Sequence, residues 1–161
     1  MPKTPIRAVV VSVSDTRREK DDVSGVTLVG LLLGMKAEVL EKIIVSDDLD
    51  ELKEMLLALC DREDVNLILT TGGTGLSKRD NTPEATRAVI EREAPGIGEA
   101  MRRESYKTMP KAMLSRAVCG HRGKTLIINM PGSPNGVLEC FDVIEPVLQH
   151  AIDLLAGNTK H

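Results

Sequence analysis

Aromatic side chains are almost missing from this chain: 161 residues hold one Phe (Phe141), one Tyr (Tyr106) and no Trp. The core must therefore be built from Leu, Ile, Val, Ala and Met. A flat ligand ring must rest on aliphatic side chains and peptide planes, and a base-stacking surface for nucleic acid is poorly supported. A net charge of −3 gives no overall pull on nucleic acid. No apolar run approaches the length that crosses a bilayer. The opening Met1-Pro2-Lys3-Thr4-Pro5 lacks the apolar segment of a signal peptide, so a cytoplasmic protein with no membrane partner is expected. The three cysteines, Cys60, Cys119 and Cys140, form no Cys-x-x-Cys pair and are expected to be buried free thiols. His121, His150 and His161 show no metal-ligand spacing and are expected at the surface.

Hydrophobic residues make up 42% and charged residues 28%, as in ordinary globular proteins, and the length suits one domain over residues 1–161. Ile6 to Val13 is continuously apolar and β-branched, like a strand covered on both faces. Further strands are predicted at Val39–Val45, Val65–Thr71, Ser115–Cys119 and Thr125–Met130. Helices are predicted from Ser24 to Leu33 with Gly34 as the cap, from Leu49 to Cys60, from Pro83 to Glu93, from Ile97 to Tyr106, and from Gly136 to Leu155. Pro146 is expected to kink or divide the last helix. The charged run Arg17–Asp21 reads as a surface loop. Strands alternating with helices predict a three-layer α/β/α sandwich with a mostly parallel sheet. Ligands in such sheets bind at the carboxyl ends of the strands.

The most informative stretch lies at one of those ends. Leu67-Ile68-Leu69-Thr70-Thr71 runs into Gly72-Gly73-Thr74-Gly75, then Lys78-Arg79-Asp80-Asn81-Thr82-Pro83. It is not a Walker A loop, since Gly-x-x-x-x-Gly-Lys is not met. It also fails the dinucleotide fingerprint, because Lys78 stands where the last glycine belongs. Three glycines leave backbone N–H groups uncovered for an anion. Thr82 suits a helix cap and Pro83 the first helical position, which aims a positive helix terminus at the same crevice. Asp80 stands where a carboxylate holds hydrated Mg²⁺ against phosphate oxygens. Ser14-Asp15, Asp47 and the Pro131-Gly132-Ser133-Pro134 turn also follow strands, so all four loops are expected at one rim. Asp47 and Asp48 are each candidates for the cap of the second helix.

Thr70-Thr71-Gly72-Gly73-Thr74-Gly75, Arg79-Asp80, Thr82-Pro83-Glu84-Ala85-Thr86 and Asn129-Met130-Pro131-Gly132-Ser133-Pro134-Asn135 together resemble the MoaB/Mog family of molybdenum-cofactor proteins, including gephyrin-type G domains. The resemblance covers about Arg7 to Leu155. It implies a molybdopterin adenylyltransferase that joins AMP from MgATP to molybdopterin and releases pyrophosphate. It assigns catalysis and Mg²⁺ to Asp47 and Asp80. It assigns molybdopterin and nucleotide binding to Ser14, Asp15, Thr71, Gly72, Gly73, Thr74, Gly75, Arg79, Ser105, Ser115, Pro131, Gly132 and Ser133. Arg102 and Arg103 are further candidates for phosphate contact. It also implies trimers or hexamers, with a molybdate-inserting enzyme as a candidate downstream partner. Ser46 and Asn81 depart from the residues many catalytic relatives carry, proline and valine. The alternative within the family is a molybdopterin-binding or scaffold protein without catalysis.

Overall fold

The computed structural model describes residues 2–159, so His161 lies outside the described residues. The chain order is β1 (Arg7–Val13), α1 (Val23–Gly34), β2 (Glu38–Val45), α2 (Leu49–Cys60), β3 (Leu67–Thr71), α3 (Thr82–Val89), β4 (Arg92–Glu93), α4 (Pro95–Tyr106), β5 (Cys119–Arg122), β6 (Thr125–Met130) and α5 (Pro134–Leu155). One sheet runs in the order β2-β1-β3-β6-β5-β4. Its first four strands are parallel, with Ser12 opposite Thr71 and Thr71 opposite Met130. β5 is antiparallel to both neighbours.

Period-two alternation along β1 builds two cores. Ala8 and Val10 face the layer of α1, α4 and α5, while Val9 and Val11 face α2 and α3. This is the three-layer arrangement expected from the sequence. Phe141, the single Phe, is fully buried in the first core. Truncating a side chain of that size to Ala costs about 3–5 kcal/mol through lost transfer energy and the cavity left behind.

Several boundaries differ from expectation, most by one or two residues and some by more. α3 ends at Val89, not Glu93, because Ile90 turns extended and the chain then joins the sheet edge. Glu91 N–H donates to His121 O and Ala94 N–H to Cys119 O, which makes the short β4 that sequence reasoning missed. Pro95 consequently opens α4. Residues 115–118 are not part of a strand: Arg116 N–H donates to Thr74 O at the rim, and Val118 O accepts from Asn129 N–H; the strand is β5, and Gly123, in the left-handed region, turns the β5–β6 hairpin. Lys36, not Gly34, takes the left-handed position after α1. α5 continues through Pro146 without division.

β1 leads outward to β2, and β3 returns on the other side of β1. The crevice between the carboxyl ends of β1 and β3 is therefore the point where the strand order reverses, the usual place for a ligand in a doubly wound sheet.

Candidate functional site

The glycine turn after β3 sits in that crevice. Gly72 and Gly73 both have positive φ, 102° and 67°. A Cβ on Gly72 would stand 2.5 Å from Val13 O, so only glycine lets β1 and the turn approach. Gly73 lies against Asp47, where a Cβ would come within 3.2 Å of Oδ1. Gly75 lies against Asp80, where a Cβ would come within 2.8 Å of Oδ2. The two acidic side chains thus flank one glycine turn from two different loops.

The cap of α2 is Asp48, whose side chain accepts from Glu51 N–H. That leaves the Asp47 carboxylate for the rim. Asp47 Oδ2 accepts from Asp15 N–H at 2.9 Å, and Asp15 Oδ1 accepts from Asp47 N–H at 3.0 Å. Asn81 Nδ2 donates to Asp47 O at 2.9 Å. Desolvation, with the charges of Asp15 and Asp80, raises the Asp47 pKa above the ordinary carboxylate value, against the opposing bond from Asp15 N–H.

Arg79 grips Asp15 with two bonds, Nε to Oδ2 at 2.9 Å and Nη2 to Oδ1 at 2.7 Å. That grip lowers the Asp15 pKa. Arg79, expected to meet phosphate, is in this state a latch across the switch point. Asp80 Oδ2 accepts from Ser77 N–H at 2.9 Å, closing its own short turn. Thr82 is not the cap of α3; Asn81 holds that position without a side-chain bond. The Thr82 hydroxyl instead donates to Gly72 O at 2.8 Å and fastens the glycine turn from below. Thr71 does the same from the side, donating to Pro131 O at 2.7 Å. Its hydroxyl is buried and spent on positioning. Ser14 is likewise committed, its Oγ accepting from Arg17 N–H.

Beyond Thr74 and Gly75 the rim opens into a cavity of about 260 Å³. Thr74, Gly75, Ser105, Ser115, Pro131 and Ser133 all border it, bringing together candidates from separate stretches of sequence. Met101, Met109, Ala112 and Leu114 supply aliphatic wall in place of rings. Ser105, which on a bare helix would face solvent, is buried, with Oγ 3.6 Å from Cys140 Sγ. Ser133 caps α5, accepting from Gly136 N–H at 3.1 Å. Arg103 points away to solvent, its side chain 75% exposed, whereas Arg102 lines the cavity.

Sequence reasoning missed the supports beneath this rim. Asn129 is fully buried; its amide donates to Thr70 Oγ1 at 3.0 Å and Thr86 Oγ1 at 2.9 Å, and accepts from Val118 N–H at 3.0 Å. It ties β3, α3 and the segment before β5 to β6. Asp22 is also buried, held by Ser12 Oγ at 2.7 Å, Lys42 Nζ at 2.9 Å and Gly25 N–H at 3.1 Å. Burial opposes its charge, but the bonds from Ser12, Lys42 and Gly25 win and its pKa is lowered. Arg17, inside the run expected to be plain loop, reaches Gly132 O at 3.3 Å, and Ser24 Oγ reaches the same carbonyl at 2.7 Å. The signals available were the place of Asn129 at the head of the Asn129–Asn135 motif and the helix-cap position of Asp22; Lys42, the partner of Asp22, comes from a separate strand.

No group of three or more His, Cys, Asp and Glu among the described residues is arranged to hold a metal. Two carboxylates at a glycine turn do fit Mg²⁺, which commonly takes one or two protein carboxylates and completes its shell with phosphates and water. All three cysteines are free; Cys119 and Cys140 are buried and Cys60 is half-buried, against the expectation of full burial. Burial pushes Cys60 to about 11 and Cys119 to about 12, so these thiols stay protonated and are poor nucleophiles.

The architecture defines the class: a doubly wound α/β protein whose switch point carries an acidic, glycine-lined crevice opening into an aliphatic cavity. Residues 9–150 match the family described as a probable molybdopterin binding domain. The chain is 41% identical over 148 residues to molybdenum cofactor biosynthesis protein B of Bacillus cereus, covering 90% of this chain and 88% of that one. It is 45% identical over 115 residues to a molybdopterin adenylyltransferase of Helicobacter pylori, covering 71% of this chain. That match spans 65% of the H. pylori protein. The molybdopterin biosynthesis enzyme MoaB of Thermus thermophilus superposes with a TM-score of 0.86 at 43% identity, covering 94% of this chain and 97% of that one. The chain belongs to the MoaB/Mog molybdopterin-binding family.

Proposed function

We propose that this protein is a molybdopterin adenylyltransferase. The observation that carries the reading is the join between two unlike spaces: a carboxylate-flanked glycine turn, and an aliphatic cavity that begins at Thr74 and Gly75 of that same turn. One suits a nucleotide phosphate chain and the other a flat ring system, its faces on Met101, Met109 and Leu114 and its polar edge toward Arg102, Ser105 and Ser115. The names of the relatives support the same assignment.

In this reaction a phosphate oxygen of molybdopterin attacks the α-phosphorus of ATP. A new P–O–P bond forms, the bond to the bridging oxygen of the β-phosphate breaks, and pyrophosphate departs. Positioning and charge stabilisation supply most of the acceleration, and no protein nucleophile is needed. The N–H groups of Gly73, Thr74 and Gly75 cradle phosphate oxygens, that of Gly72 being held by Met130 O. Ser105, Ser115 and the aliphatic wall fix the pterin. Thr71, Thr82 and Asn129 hold the turn still. Asp47 and Asp80 would hold Mg²⁺ arriving with ATP, which screens the repulsion between the two anions. Arg79 exchanges Asp15 for a substrate phosphate.

The protein acts in the cytoplasm as a trimer or hexamer, which the exposed Val23, Val26 and Leu33 along α1 support, and hands its product to a molybdate-inserting enzyme. No helix among the described residues is long and apolar enough to cross a membrane. The test is a single-turnover assay with purified protein, molybdopterin and MgATP, following adenylyl-molybdopterin by chromatography. Product formation supports the transferase reading. Molybdopterin binding without product would replace it with a carrier or scaffold role.

A further inference from the structure

Behind the cavity described above, on the far side of Ser115 and Ala117, lies a second cavity of about 250 Å³. Three guanidinium groups border it, those of Arg87, Arg102 and Arg116, against one carboxylate, Glu93. Arg116 is neutralised by its ion pair with Glu84 and has its other donors on Gly75 O and Asp80 O. Arg102 is different. It spends Nη1 on two carbonyls, Ala117 O at 3.1 Å and Ser115 O at 3.4 Å, and has no carboxylate partner among the described residues. Gly98 makes room for it, since a Cβ there would meet Nη2 at 3.3 Å. Arg87, on the last turn of α3, makes no hydrogen bond or ion pair through its side chain among the described residues. Among the described residues neither Arg87 nor Arg102 is in an ion pair, so two guanidinium groups with unspent donors face one concave space.

We propose that this second cavity binds a small tetrahedral oxyanion of the phosphate class. The planar donor forks of Arg87 and Arg102 suit such oxygens better than a point charge would. The site is separate from the Asp47–Asp80 rim, but Arg102 and Ala117 also line the first cavity. An anion on Arg102 thus acts on the wall of the substrate space without entering it. Free phosphate and pyrophosphate share this chemistry.

The experiment is calorimetric titration of the full chain with inorganic phosphate and, separately, with pyrophosphate, in wild type, Arg87→Ala, Arg87→Lys and Asp80→Asn. Neither molybdopterin nor ATP is present, so the outcome is independent of the transferase reading. Saturable binding that Arg87→Ala weakens about tenfold or more, the scale of one lost charge-assisted bond, supports the site. Partial recovery in Arg87→Lys and near-wild-type binding in Asp80→Asn complete that pattern. The tighter of the two anions then identifies the source. Equal affinity in wild type and Arg87→Ala overturns the proposal, as does absence of saturable binding. Binding that changes in Asp80→Asn, in either direction, while staying at the wild-type level in Arg87→Ala also overturns it, because the anion then sits at the rim.

Discussion

Asp15 and Asp47 hold each other reciprocally, each carboxylate accepting the other's backbone N–H, at 2.9 and 3.0 Å. The pair joins the loops after β1 and β2 into one rigid edge. Two acidic residues sit side by side because each offers the other an amide dipole and Arg79 neutralises one of them. That arrangement leaves Asp47 as the carboxylate with the raised pKa and Asp15 as the one with the lowered pKa.

Asp80→Asn and Asp47→Asn are expected to lower the single-turnover rate of adenylyl transfer by about a hundredfold or more, the scale of losing a group aimed at transition-state charge. Melting temperature should stay at or above that of wild type. A rate within about threefold of wild type for Asp80→Asn would remove it from the mechanism.

The raised pKa of Asp47 gives a pH signature with a definite sign. Native protein keeps this proton at a pH where the unfolded chain, with its pKa near 3.8, has released it. Stability is therefore lost as pH rises from about that value through the folded-state pKa. Asp47→Asn removes the penalty. It should melt above wild type at neutral pH, with the difference shrinking as pH falls below the unfolded-state value; thermal scans over that range decide it.

Asp22→Ala should destabilise by about 3–5 kcal/mol, because Lys42 is then left half-buried with only Glu19 and the Ser12 hydroxyl loses its acceptor. The double variant with Lys42→Met should lose less than the two single losses added together, since it removes both charges. Urea unfolding of the four proteins measures both quantities. Simple additivity would mean the pair is not a coupled unit.

Gly73→Ala should cost at least about 1–2 kcal/mol, from a positive φ and a methyl group 2.4 Å from Thr82 Oγ1. It also presses on Asp47, so transfer should fall further than stability does. The check is the rate at a temperature where the variant is fully folded.

The layers were legible in the sequence because β1, β3 and β6 are continuous apolar runs and the amphipathic α2 has regular spacing. The short β4 was not, since Arg92 and Glu93 carry no strand signal and pair only because Ile90 turns the chain to the sheet edge. At the site, Asp47, Asp80 and Ser105 were legible through the resemblance. The aliphatic Met101, Met109 and Leu114 were not, as they look like any core residue until the helix is docked. The latching of Arg79 by Asp15 joins positions 64 residues apart, and no local pattern encodes it.

The two turns of the rim meet backbone to backbone: a Cβ on Gly132 would stand 3.3 Å from the Gly72 Cα, and one on Gly72 would strike Val13 O. Variation at this edge is thereby channelled. Randomising codons 72 and 132 together and selecting for folded protein should return glycine at 72 almost without exception. Position 132 should admit only what a few tenths of an ångström of give allows. The floor of the crevice is a place where mutation has almost no vocabulary, and change must come instead from the cavity wall, where Met and Leu can be exchanged at small cost.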